Sequence, residues 1–66
     1  MKNRHSKRKL DKNNTGIYFG GEFVGFINYN PTVDVFVGLH INEGWSEEMC
    51  TAEQVYVWIK LFQYGE

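Results

Sequence analysis

The sequence predicts an α+β fold: a three-stranded antiparallel β-meander with one C-terminal helix packed on one face, behind a basic N-terminal arm. Three observations predict it. Val, Ile, Phe and Tyr crowd into residues 17–41, where turn signals break them twice. A helix start signal at Thr51 opens a 3.6-period apolar stripe. Charge is sorted along the chain. Residues 1–12 hold six of the seven Lys/Arg and one acid, a net +5; residues 13–66 hold one cation and seven acids, a net −6.

Residues 1–15 are rich in Lys, Arg and Asn, and Leu10 is the only large aliphatic in 2–16. Burial would not offset the entropy of ordering them, so they are expected to be a flexible arm. Residues 16–66 are expected to form the single domain. All eleven aromatics lie between Tyr18 and Tyr64, which puts the core there.

The expected strands are 17–19, 22–29 and 33–41. Gly20-Gly21 supplies the first hairpin turn. Asn30-Pro31-Thr32 supplies the second, since Pro31 cannot donate to a strand ladder. Regular pairing sets Ile17 against Val24, Phe26 against Val35 and Asn28 against Val33. One face then carries Ile17, Phe19, Val24, Phe26, Val33, Val35, Val37 and Leu39, and the helix is expected to cover it. The other carries Tyr18, Phe23, Gly25, Ile27, Tyr29, Asp34, Phe36, Gly38 and His40. Residues 42–50 are expected to be a loop with at most one helical turn at 46–49. Thr51 as N-cap and Gln54 three residues on form a capping box. Ala52, Val55, Ile59 and Phe62 make the buried stripe, widened by Trp58, and Gly65 ends the helix.

Sixty-six residues bury a small core, and domains of this size commonly need a staple. Cys50 is the only cysteine, so an internal disulfide is excluded. No Cys/His spacing fits zinc, no apolar run fits a membrane span, and no apolar segment follows the basic N-terminus. A cytoplasmic protein without cofactor or metal is expected. His40, Glu43, Glu47 and Cys50 are the one gathering of reactive types, but no third group orients a Cys–His pair, and no enzyme activity is expected. Gly20-Gly21 lacks the residues of a phosphate loop.

The remaining surfaces point to binding. The face opposite the helix leaves Tyr18, Phe23, Ile27, Tyr29 and Phe36 as a partner or dimer interface, with Gly25 and Gly38 permitting close approach. Glu43, Trp45, Glu47 and Glu48 form an acidic contact loop with an aromatic anchor. The profile is similar to that of small proteins with which phages and mobile elements block host machinery. That similarity implies a non-enzymatic inhibitor or modulator of a larger protein, expected as a homodimer. The competing expectation is a nucleic-acid accessory protein, with Lys2, Arg4, Lys7, Arg8 and Lys9 on phosphates and sheet aromatics stacking on bases.

Overall fold

A computed structural model describes residues 4–64, with the side chains of 63 and 64 outside the description. Five strands and one helix follow in order: β1 (His5–Asp11), β2 (Asn14–Phe19), β3 (Glu22–Asn30), β4 (Val35–His40), β5 (Gly44–Trp45) and α1 (Ala52–Tyr64). The strands form one antiparallel sheet in sequential order, and α1 packs on one face of it.

The small antiparallel α+β architecture is the expected one, with five strands in place of three. The first addition is β1, drawn from the basic segment expected to be flexible; Met1, Lys2 and Asn3 of that segment lie outside the described residues. A strand needs its backbone satisfied, and β2 does this in register, with Lys7 opposite Ile17 and Lys9 opposite Thr15. Lysines suit an edge strand because they discourage further pairing. The turn into β2 is an Asx turn: Asp11 Oδ1 accepts from Asn13 N–H at 2.9 Å and from the Asn14 amide at 3.0 Å. The second addition is β5, which pairs Trp45 with Leu39 and Gly44 with His40. Gly44 takes φ +86° to turn the chain back. Beyond it, Phe36 and Met49 exchange both backbone hydrogen bonds, at 2.7 and 2.8 Å.

The expected two-residue hairpin forms, with Gly20 and Gly21 at φ 60° and 89°. The pairing that follows is not regular. Tyr18 faces Phe23 and Ile17 faces Gly25, so Val24 is an extra residue on β3. This β-bulge keeps Val24 beside Ile17 and turns Phe26 to the opposite face. The second loop is displaced: Asn30 pairs with Val35, and the turn is 31–34. Asn30 directs it, its side chain accepting from Thr32 N–H and its carbonyl from Asp34 N–H. Asp34 sits at φ 58°, and Tyr29 Oη donates to its carboxylate at 2.8 Å. Val33, expected on a strand, lies in this turn and is exposed.

These changes reverse most of the expected core. The helix covers Ile17, Phe19, Val24, Ile27, Phe36, Gly38 and His40. Phe26, Val35, Val37 and Leu39 point the other way. Fully buried Val55 and Ile59 meet Ile17, Val24 and Ile27 in the core. The reason is shape. A Cβ on Gly38 would collide with the Cγ1 of Val55, so glycine there lets α1 approach the sheet closely. The capping box is present as expected: Thr51 Oγ1 accepts from Gln54 N–H at 3.1 Å, and Gln54 Oε1 accepts from Thr51 N–H at 3.2 Å.

Candidate interaction surfaces

Alternation from the observed register puts Arg8, Leu10, Gly16, Tyr18, Phe23, Phe26, Val35, Val37, Leu39 and Trp45 on the face without a helix. Trp45 is 61 % exposed, Leu10 48 % and Phe23 39 %, so solvent reaches this face across its width. Trp45 packs edge-on against Phe26 at 5.7 Å and Tyr18 against Phe23 at 5.6 Å. Arg8 lies 5.6 Å from the Tyr18 ring centre. Leu10, Asp11, Asn14 and Phe26 line an open depression of about 250 Å³ at one end. A polar ladder crosses there, with Asn28 donating to Asn14 at 2.8 Å and Asn14 to Asp11. Those bonds from Asn14, with the backbone N–H of Asn13, hold the Asp11 carboxyl below its ordinary pKa.

Of the five residues expected to form an interface, Tyr18 and Phe23 are on this open face. Ile27 is buried in the core and Phe36 packs against it under the helix; Tyr29 stacks on Phe36 at 4.7 Å on that same side. The occupant that Gly25 and Gly38 were expected to admit is the chain itself. Val55 lies against Gly38, and the β4 backbone at Leu39 lies against Gly25. Phe26, Val35, Val37 and Leu39, expected under the helix, are the open-face residues that sequence reasoning missed. The glycine pair on the other face was the available signal, because a helix packs closest where side chains are smallest.

The acidic segment lies at the β5 edge. Glu43 is exposed in the turn after β4, and Glu47 and Glu48 are exposed before Met49. Ser46 holds this segment to β4: its N–H donates to the Gly38 carbonyl, and its Oγ accepts from Gly38 N–H, both at 2.8 Å.

The basic residues lie at the opposite edge. Arg4 joins the sheet through its carbonyl, which accepts from Gly20 N–H. Lys7 and Lys9 fall on the helix side of β1 and Arg8 on the open side. Lys7 Nζ stands 4.7 Å from the Tyr56 ring centre, and Lys60 Nζ, from α1, stands 4.5 Å from the same centre. His5 packs on Phe19 at 4.5 Å and edge-on to Tyr56 at 6.3 Å. Burial, and then the nearby Lys60 charge, push the His5 pKa below its usual value.

The expected gathering around His40 is spread out. His40 is 2 % exposed, packs on Phe62 at 5.0 Å, and accepts the Asn42 N–H at Nδ1. Cys50 is exposed and follows Met49, which pairs with Phe36, four residues or about 13 Å along β4 from His40. Among the described residues, no group of three His, Cys, Asp or Glu could hold a metal ion. No described helix is long and apolar enough to cross a membrane. No family model, curated protein or solved structure matches this chain.

Proposed function

We propose that this protein is a non-enzymatic protein-binding module that works through its open sheet face, with a second copy of itself as the first occupant. The observation that carries this reading is the composition of that face. Trp45, Leu10 and Phe23 are exposed beside half-buried Phe26, Val35, Val37 and Leu39, an apolar surface of the kind that marks an interaction site. Aliphatic and aromatic side chains together, with few charges, match the core of a protein–protein contact.

Strand order supports a particular pairing. A two-fold axis along β3 lays the basic β1 edge of one copy over the acidic 43–48 segment of the other. Complementary charge of this kind favours one orientation over its alternatives. The outward parts of the acidic segment would then be the contact with a larger protein that the dimer inhibits or modulates.

Light scattering after size-exclusion chromatography tests the pairing. The wild type is expected to run as a dimer at micromolar concentration and Val37→Asp as a folded monomer. A wild-type monomer at millimolar concentration, or a Val37→Asp dimer, would overturn it. Phe36→Asp cannot serve here, because Phe36 packs against the core and its loss disturbs the fold.

A further inference from the structure

The folded chain collects its cations at one place. Lys60 is the only Lys or Arg outside the first twelve residues, and the helix delivers it to the basic strand. Its ammonium and that of Lys7 share the Tyr56 ring, so they stand no farther apart than the sum of 4.5 and 4.7 Å. Lys9 follows Lys7 on the same side of β1, two residues or roughly 7 Å along the strand. Among the described residues, no ion pair joins Lys7, Lys9 or Lys60 to a carboxylate. Asp11 is near enough to Lys9 for the two charges to interact, but one carboxylate does not offset three ammoniums, and a bound polyanion would remove the repulsion that remains.

We propose that Lys7, Lys9 and Lys60, arranged around Tyr56, bind the phosphate backbone of single-stranded nucleic acid along the β1 edge. The site is a line rather than a plane. β1 is a seven-residue edge strand, about 23 Å long, which suits a single extended backbone better than a duplex or a membrane surface. Lysine ammoniums act as point charges toward phosphate without reading sequence, so little base preference is expected.

The acidic segment of the same copy is too far across the sheet to oppose this. Within one copy the 43–48 segment is four strand spacings from β1, about 19 Å, against a screening length of about 8 Å at physiological salt; in the proposed pair the second copy's segment lies on the open side of β1, away from Lys7 and Lys9. The Asp11 carboxylate, at the end of β1, stays charged and attracts Lys9, but it is a single counter-charge to the group. This site is on the helix side of β1 and the pairing uses the open side, so the two readings are tested on different faces, the pairing by Val37→Asp and this site by Lys60→Gln.

The test is fluorescence anisotropy of a labelled oligo-dT on the full chain, titrated at several salt concentrations. Three phosphate contacts with a single strand predict a loss of roughly 20-fold in affinity between 50 and 200 mM salt. Lys60→Gln should leave two contacts and a loss of roughly 7-fold, with weaker binding throughout. Lys60→Arg should restore the wild-type slope. Lys7→Gln, a change at an exposed strand edge, should match Lys60→Gln and carries the test if Lys60→Gln fails to fold. The proposal is overturned if Lys60→Gln is folded and binds like wild type, since the basic segment would then act alone. It is also overturned by tighter binding to duplex DNA or to phosphatidylserine vesicles than to the single strand, or by no binding at 50 mM salt.

Discussion

The two faces of this sheet have similar hydrophobicity and opposite fates. The covered face holds Ile17, Val24, Ile27 and Phe36 with Gly25 and Gly38 among them. The open face holds Phe26, Val35, Val37 and Leu39 with Trp45 at its edge. Counting apolar residues does not separate them. Relief does: a helix needs a hollow for its own side chains, and Gly38 makes one for Val55. The valine row on the other face offers a flatter surface, suited to another sheet.

The sharpest way to break this comparison is a matched pair of deletions. Ile59 is fully buried, so Ile59→Ala should cost about 2–5 kcal/mol and bring a domain this small close to unfolding. Val37→Ala on the open face should cost less than about 1 kcal/mol in dilute protein. Urea unfolding followed by tryptophan fluorescence measures both, and equal losses would mean the open face is not open.

Glycine substitutions sharpen it further. Gly38→Ala should cost about 1–3 kcal/mol, because its methyl group overlaps Val55 and forces the helix outward. Gly16→Ala places its methyl 3.1 Å from Tyr18 Cε1 and 3.3 Å from Leu10 Cδ2, on side chains that can yield toward solvent. Its cost should fall below about 1 kcal/mol. If Gly16→Ala were the more damaging in thermal melts, close packing would belong to the wrong face.

The helix start contributes less. Thr51→Ala removes one of two reciprocal caps and should lower stability by about 1 kcal/mol, with Thr51→Ser retaining most of it.

The smallest effect is the pH response of the covered face at its β1 end. His5 packs against Phe19 and Tyr56, and this burial, then the Lys60 charge, favours its neutral form. Its folded pKa lies below 6.5, so the unfolded chain binds the extra proton first. The associated stability is full above that pH and is lost as pH falls through the folded pKa. Asp11 acts in a lower window: its folded pKa lies below 3.8, and its contribution, present above that value, is lost as pH falls through the folded pKa. Melting temperatures from pH 7.5 to 5 should decline in the wild type and decline less in His5→Phe. Identical profiles would show that His5 is not buried against the helix.

Local signals were legible in the chain. Gly20-Gly21 as a turn, Pro31 within a turn, and the Thr51/Gln54 box each act through neighbouring residues, and each is found where it was expected. The Asp11–Asn14 turn was equally local, and reading its Asx chemistry would have revealed β1. The displaced second loop was less legible, because Asn30 and Asp34 extend the turn past Val33 through side-chain hydrogen bonds that composition does not display. Of the candidate interface, Tyr18 and Phe23 were legible as open-face residues. Ile27 and Phe36 were not, because a single extra residue at Val24 decides which way β3 faces.

The sequence by itself determined a helix with its cap, the hairpin turn at Gly20-Gly21, and a basic and an acidic half. Each follows from interactions among residues close in the chain. Only the tertiary structure decided which sheet face the helix covers, that β1 joins the sheet, and that Lys60 and Lys7 share the Tyr56 ring. Those outcomes depend on packing volume and backbone pairing between segments distant in sequence. A one-residue bulge and one missing Cβ outweigh the summed hydrophobicity of a whole strand face because close packing, unlike hydrophobicity, depends on the position of each atom.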